Sequence, residues 1–257
     1  MDLGLKGKVA VVTGGTEGIG RATALKLAQE GANVAICARR QALLDKAAAE
    51  IGKTGVTVLA FAADMTRSGD IERFLKAVIE RFGRIDILFN NAGTSLRGKF
   101  LEVDDSKWHE DLDLKVFGAI RCTRFAVPYM KKQGGGRIIN ITTIGAKQPG
   151  AESMPTTVSR AAGLALTKAL SREYAADNIL VNTVCIGKIK AGQHERKAAR
   201  NGIDLKAYYE EMGKTVPLGR VGEAEEVANV VAFLASQAAS YVTGTSINLD
   251  GGISGVL

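Results

Sequence analysis

Stretches of apolar, largely β-branched residues alternate along the chain with stretches in which apolar residues recur at helical spacing. The apolar stretches predict seven buried strands, at 9–14, 33–38, 56–64, 85–93, 137–143, 178–187 and 246–252. Helical patterns separate the first four of these strands, at 21–31, 41–55 and 68–83. This alternation predicts an α/β fold in which a parallel sheet of about seven strands carries helices on both faces.

The composition is typical of a globular chain with one sizeable core. Of the 257 residues, 46% are hydrophobic and 24% are charged. No apolar run approaches the roughly 20 residues that a membrane span needs, and the N-terminus lacks the layout of a signal peptide. We therefore expect a single domain over 1–257 that is cytoplasmic and makes no membrane contact.

The cysteines and the net charge argue against other classes of function. Cys37, Cys122 and Cys185 are odd in number and show no CxxC spacing, so neither a disulfide framework nor a metal site is indicated. The formal charge is +7, but basic and acidic residues are interspersed, which favours a solvated surface over nucleic-acid binding. The same positive excess would attract an anionic cofactor or substrate.

The segment 191–216 departs from the regular alternation. It is charged, weakly periodic and carries Tyr208 and Tyr209. We interpret it as an inserted helical lid over the site of a small-molecule substrate, and its basic character favours an anionic or polar one.

A glycine-rich turn, TGGTEGIG over 13–20, joins the first predicted strand to the first predicted helix. Glycines at this point let the backbone approach a pyrophosphate, which then rests on the free amides of the helix N-terminus. Glycines alone are weak evidence, but their position between a strand and a helix strengthens the prediction. The predicted cofactor-binding residues of this turn are Gly14, Thr16, Gly18, Ile19 and Gly20.

Further motifs follow in a set order: Asp64 after the third strand, NNAG over 90–93, and a closing helix and strand over 217–252. Together with the glycine turn they resemble the short-chain dehydrogenase/reductase family over essentially the whole chain. The resemblance implies a Rossmann-type doubly wound domain and a homotetramer or homodimer. It also implies a nicotinamide cofactor bound in part by Asp64, Asn91, Ala92 and Gly93.

The end of the second strand bears on which nicotinamide cofactor binds. An acidic residue there would hold the ribose hydroxyls and exclude a 2′-phosphate, but the chain has Arg39 and Arg40 after Ala38. Arg39 can make a charge-assisted, bidentate contact to phosphate, so NADP(H) is favoured and NAD(H) is the alternative. Glu17 opposes this preference, unless it pairs with Arg39 or points away from the phosphate.

The catalytic positions that the resemblance implies hold unusual residues. The family uses a tyrosine to move the proton, a lysine four residues later, a serine that polarises the carbonyl and an asparagine in a proton relay. The matching positions here are, in that order, Thr156, Arg160, Thr143 and Lys115.

Each replacement has its own consequence. Thr143 keeps a hydroxyl, and Arg160 can still bind ribose hydroxyls but cannot join a proton relay. Thr156 is too short and too weakly acidic to replace tyrosine. Lys115 is a candidate acid if burial beside Arg160 lowers its pKa; the alternative is a lysine that faces solvent.

The nicotinamide end of the predicted site also differs from the family pattern. Ile186 and Gly187 stand where the family has Pro-Gly, and Ile189 keeps a backbone that can contact the carboxamide. Lys188 and Lys190 add positive charge there.

Three functions remain open at this stage. A divergent oxidoreductase acting on a carbonyl or hydroxyl substrate would use Lys115 as its acid, or His194, Tyr208 or Tyr209 from the lid. The alternatives are non-redox carbonyl chemistry on the same fold, and a catalytically silent nucleotide-binding or oligomer partner. We favour the first by analogy with the family.

Overall fold

The computed structural model describes residues 2–256, and seven of its strands form one parallel sheet. Their order across the sheet is β3-β2-β1-β4-β6-β8-β9, and β5 and β7 form a separate antiparallel pair. The strands are β1 Val9–Thr13, β2 Asn33–Ala38, β3 Val58–Ala62, β4 Ile87–Asn90, β5 Arg97–Gly98, β6 Gly136–Thr143, β7 Met154–Pro155, β8 Ile179–Ile186 and β9 Ser246–Leu249.

Helices connect the strands and cover both faces of the sheet. They are α1 Gly18–Gln29, α2 Gln41–Gly52, α3 Ser68–Phe82, α4 Asp105–Leu112, α5 Gly118–Lys132, α6 Thr156–Glu173, α7 Gly192–Arg200, α8 Leu205–Gly213 and α9 Ala224–Ala235. None of the helices within residues 2–256 is long and apolar enough to span a membrane.

The core is divided into two layers by the sheet. Along β1, Ala10 and Val12 pack with α1, α2 and α9 on one face, while Val9 and Val11 pack with α3 and α5 on the other. This follows from the two-residue alternation of side chains along a strand. Helices on both faces of a parallel sheet confirm the predicted doubly wound α/β fold.

All seven predicted strands are present, but five are shorter than the sequence indicated, three of them by three residues or more. The stretch predicted as 56–64 is a strand over Val58–Ala62, and 85–93 is a strand over Ile87–Asn90. The last one ends at Leu249 rather than 252. Gly251 and Gly252 have φ values of 66° and 87°, a left-handed conformation that a strand cannot contain.

The predicted lid segment 191–216 contains two helices, α7 and α8. His194 of α7 packs against Tyr208 and Tyr209 of α8, with ring centroids 6.1 and 6.4 Å away, and the two tyrosine rings lie 5.9 Å apart. A role of these helices in covering a substrate remains a prediction.

Candidate active site

The glycine turn and the NNAG motif are joined by hydrogen bonds at the carboxyl ends of β1 and β4. Thr13 Oγ1 accepts the backbone amides of Asn91 and Ala92 at 2.9 and 3.0 Å. The Asn91 side chain donates back to the Thr13 and Gly14 carbonyls. A Cβ at Gly20 would lie only 2.1 Å from the Gly14 carbonyl oxygen, so the helix can approach the strand this closely only with glycine. The two motifs thus form one rigid cradle.

The rest of the predicted glycine turn borders this cradle. Gly14 and Gly18 have left-handed φ values of 67° and 51°, and Thr16 is half-buried. Ile19 puts its side chain in the core, so only its backbone faces the turn. α1 begins at Gly18 and no side chain caps it, which leaves its first amides available to an anion. These features fit a dinucleotide diphosphate.

At the other end of the cradle, Arg39 is exposed and makes no ion pair or hydrogen bond within residues 2–256. Glu17 does not pair with it. The carboxylate instead pairs with Arg40 at 2.5 Å and with Arg196 of α7 at 3.3 Å. Arg39 is therefore free to receive a phosphate, and the negative charge of Glu17 is balanced by other residues.

Asp64 lies after β3, at the position implied to hold the adenine. Its carboxylate accepts the amide and hydroxyl of Thr66 at 3.0 and 2.8 Å. Burial acts to raise the pKa of Asp64, but these hydrogen bonds and the charges of Arg39 and Arg67 outweigh it, so the pKa is lowered. Asp64 is therefore ionised at neutral pH.

The predicted nicotinamide end follows β8. Ile189 forms a parallel bridge with Gly222. The hydrogen bonds of this bridge are made by its neighbours: the Lys190 amide donates to the Gly222 carbonyl, and the Gly222 amide donates to the Lys188 carbonyl. The amide and carbonyl of Ile189 itself make no hydrogen bond within residues 2–256, which leaves them available to a carboxamide. A Cβ at Gly187 would lie 2.6 Å from the Asp250 side chain, so only glycine fits there.

The four predicted catalytic positions are only partly brought together. Lys115 is buried, its side chain 1% exposed, which rules out the alternative that it faces solvent. Its ammonium forms an ion pair with Asp111 and donates to Thr156 Oγ1 at 2.8 Å. Lys115 and Arg160 line the same cavity of about 10 Å³, which is room for one water molecule.

The Thr156 hydroxyl has no hydrogen-bonding capacity left. It accepts from Lys115 and from the Leu96 amide at 3.0 Å, and it donates to the Leu96 carbonyl at 2.7 Å. A hydroxyl has one donor and two acceptor sites, so all three are used. Thr156 therefore ties Lys115 to the loop after β4 and has no proton of its own to offer.

Arg160 and Thr143 both lie near the end of β6. Arg160 donates from Nη1 to the Ile141 carbonyl at 2.6 Å, and its Nη2 lies 2.6 Å from where a Cβ at Gly93 would be. Thr143, the last residue of β6, is half-buried and its hydroxyl makes no hydrogen bond within residues 2–256. Thr143 thus makes no hydrogen bond to the Lys115 cluster within residues 2–256, and its hydroxyl is available to a ligand.

Electrostatics within the cluster favour loss of a proton from Lys115. Burial, followed by the charge of Arg160, lowers the pKa of Lys115 from 10.5 to about 8, although Asp111 opposes the shift. Burial also lowers the pKa of Arg160 to about 10, so the guanidinium stays charged at neutral pH. Two cations and one carboxylate leave the cluster with a net charge of about +1 near neutral pH.

Asp111 and Ser159 belong to this cluster but were not predicted from the sequence. Asp111 is buried and its second carboxylate oxygen accepts from Ser159 at 2.5 Å. Asp111 precedes Lys115 by four residues in a helical stretch, a spacing at which oppositely charged side chains meet. Lys115 itself lies in a π-helical turn over Asp113–Phe117, an irregularity that often occurs at functional sites.

Comparisons with known proteins agree with this geometry. A family model described as "Enoyl-(Acyl carrier protein) reductase" matches residues 14–254. The chain is 36% identical over 249 residues to human "Dehydrogenase/reductase SDR family member 4", covering 96% of this chain and 88% of the relative. It is 35% identical to "3-oxoacyl-[acyl-carrier-protein] reductase FabG" of Staphylococcus epidermidis, with 96% and 98% covered. The chain belongs to the short-chain dehydrogenase/reductase family.

Solved structures of similar proteins place this short-chain dehydrogenase/reductase among oxidoreductases with a nicotinamide cofactor. L-sorbose reductase from Gluconobacter frateurii, complexed with NADPH and L-sorbose, superposes with a TM-score of 0.95 at 37% identity, and each chain is covered completely. An NAD+-bound xylitol dehydrogenase superposes with a TM-score of 0.87 at 30% identity, covering 96% of this chain and 99% of the other. The two neighbours differ in which cofactor they bind.

Proposed function

We propose that this short-chain dehydrogenase/reductase is an NADP(H)-dependent oxidoreductase acting on a carbonyl or hydroxyl substrate, with Lys115 in place of the family's tyrosine. The observation that carries the proposal is the 2.8 Å hydrogen bond from Lys115 Nζ to Thr156 Oγ1. It brings a nitrogen that can release a proton to the position where the tyrosine side chain would begin.

Lys115 has the donors and the pKa that this role requires. An ammonium group carries three N–H donors, of which Asp111 and Thr156 take one each, so one remains for a substrate oxygen. A pKa of about 8 is close to the pH at which a general acid or base works best. Asp111 holds the amine in place, so it is a positioning residue.

The remaining side chains would stabilise the charge that develops on the substrate oxygen. When bound, the nicotinamide would supply the hydride for reduction of a carbonyl and this chain the proton; in the reverse reaction, the nicotinamide would accept the hydride and this chain the proton. The free hydroxyl of Thr143 can donate to the substrate oxygen. The net positive charge of Lys115, Asp111 and Arg160 favours an oxygen that becomes negative during the reaction.

The proposed preference for NADP(H) depends on Arg39. This arginine is exposed and unpaired within residues 2–256, and the carboxylate of Glu17 is occupied by Arg40 and Arg196. A guanidinium can bind the 2′-phosphate of NADP(H) through two parallel hydrogen bonds. NAD(H) has no phosphate at this position.

Turnover assays with a panel of carbonyl compounds test the function. Ketoses such as L-sorbose and 3-oxoacyl thioesters, the substrate types named for the relatives, would be offered with NADPH while its oxidation is followed. We expect turnover of at least one compound, and loss of that turnover without loss of NADPH binding in Lys115→Met. Cofactor binding without turnover of any compound, in the wild type, would favour the silent nucleotide-binding protein.

We also propose that the protein forms a homotetramer or homodimer through α9 and β9. Tyr241, between these two elements, is 99% exposed, and Leu218 is 69% exposed. Large apolar side chains in contact with solvent often mark an interface. Light scattering during size-exclusion chromatography measures the assembly directly, and a 27 kDa particle would contradict the proposal.

A further inference from the structure

The predicted lid begins directly against the glycine turn of the nucleotide site. The Cβ of Ala191, which precedes α7, lies 3.5 Å from where a Cβ at Gly18 would be. The Glu17 carboxylate is likewise 3.5 Å from where a Cβ at Gly192 would be. The first turn of α7 therefore packs on the turn that would hold the cofactor diphosphate.

Glu17 is bracketed by two arginines from distant parts of the chain. Arg40 pairs with Oε2 at 2.5 Å, and Arg196 Nη1 lies 3.3 Å from each carboxylate oxygen. Arg196 is 179 positions further along the chain and belongs to α7. Glu17 thus contacts the immediate neighbour of Arg39, the residue proposed to bind the 2′-phosphate. A free carboxylate there would repel that phosphate.

We propose that Arg196 is a positioning residue for cofactor choice, because its pairing with Glu17 reduces the repulsion between this carboxylate and the 2′-phosphate of NADP(H). The inference rests on the proposed NADP(H) function. A residue of the lid thereby contributes to specificity at the adenosine end of the cofactor.

Dissociation constants of NADPH and NADH, measured by fluorescence at low ionic strength, test this role. We expect Arg196→Gln to weaken NADPH binding about two- to five-fold, the range set by an exposed ion pair, with NADH unchanged. In a Glu17→Gln background, Arg196→Gln should have no effect on NADPH. The matched control is Arg200→Gln, an exposed arginine of the same helix with no ion pair among the residues described, which should bind both cofactors like the wild type.

Three results would overturn the role: unchanged NADPH binding in Arg196→Gln, equal weakening of both cofactors, or an effect that persists in the Glu17→Gln background. The last would mean that Arg196 binds the phosphate itself. If the wild type binds NADPH and NADH equally, the proposed NADP(H) function fails, and the role of Arg196 in cofactor choice fails with it.

Amide hydrogen exchange over residues 192–200 in the cofactor-free protein tests whether the Arg196–Glu17 ion pair forms, whichever cofactor the protein prefers. If the pair forms, exchange should be about two- to five-fold faster in both Arg196→Gln and Glu17→Gln than in Arg200→Gln. Unchanged exchange would show that the lid and the glycine turn are not joined by this pair, which overturns the inference even where NADP(H) is preferred.

Discussion

Removal of the Lys115 charge alone should destabilise the protein more than removal of the Lys115 and Asp111 charges together. In Lys115→Met the Asp111 carboxylate, whose side chain is 0% exposed, keeps only the hydrogen bond from the Ser159 hydroxyl at 2.5 Å. A buried charge left without its partner costs about 3–5 kcal/mol. At about 2–4 °C per kcal/mol for a chain of this size, the loss corresponds to a decrease in Tm of about 6–20 °C.

The double variant Asp111→Asn with Lys115→Met removes both charges and keeps an amide that can still bond to Ser159. We expect it to be more stable than Lys115→Met alone by about 3 kcal/mol. Urea unfolding of the wild type, both single variants and the double variant measures this coupling. Strict additivity of the two single losses would refute the buried ion pair.

The pH dependence of the free energy of unfolding also tests the burial of Lys115. Because the pKa of Lys115 is lowered to about 8 in the folded protein, the unfolded chain binds more protons between about pH 8 and 10.5. Protonated Lys115 therefore destabilises the fold below about pH 8, and the free energy of unfolding should increase as the pH rises from about 8 to 10.5. The increase should be absent in the double variant, and its presence there would assign it to other groups.

Three further changes have expected outcomes. Arg39→Ala should weaken NADPH binding about 10- to 100-fold, the value of a hydrogen bond to a charged group, with NADH unchanged in the same fluorescence titration. Thr156→Ala should leave proton transfer nearly intact, because this hydroxyl has no free proton, and should lower the free energy of unfolding by about 1 kcal/mol. This protein should reduce simple ketones about 10²–10⁴-fold more slowly than members of the family that have the tyrosine do. The double variant Thr156→Tyr with Arg160→Lys should raise that rate. Rapid turnover of simple ketones by the wild type would contradict this expectation.

The sheet could be predicted from sequence because its strands are buried on both faces and therefore read as continuous apolar runs. Strand ends were less predictable. The residues 91–93 continue the pattern of β4 but turn away from the sheet, since Asn91 is held by Thr13 and Gly14. Such ends are set by hydrogen bonds to residues far away in sequence, which a local pattern does not contain.

The catalytic positions could be found by motif, but their partners could not. The resemblance to the family identified Lys115, which is buried, and burial followed by the charge of Arg160 lowers its pKa. Asp111 was missed because a carboxylate on a short, polar helix such as α4 usually faces solvent, and only the packing of α6 against it shows that it is buried.

The partners of Glu17 illustrate the same limit. The sequence left open whether Glu17 pairs with Arg39 or points away from the phosphate, whereas the structure pairs it with Arg40 and Arg196. The placement of Arg196 depends on how α7 packs on the glycine turn, and no motif describes that packing.

The acidity of Lys115 in the folded protein is the quantity on which the proposed mechanism depends. Titration of the ¹³Cε signals of labelled lysines by NMR would measure it, with the Lys115 signal identified by its loss in the Asp111→Asn, Lys115→Met double variant. We expect an inflection at about pH 8. An inflection at about 10 or above, the ordinary range of lysine, would contradict the role of Lys115 as the proton donor.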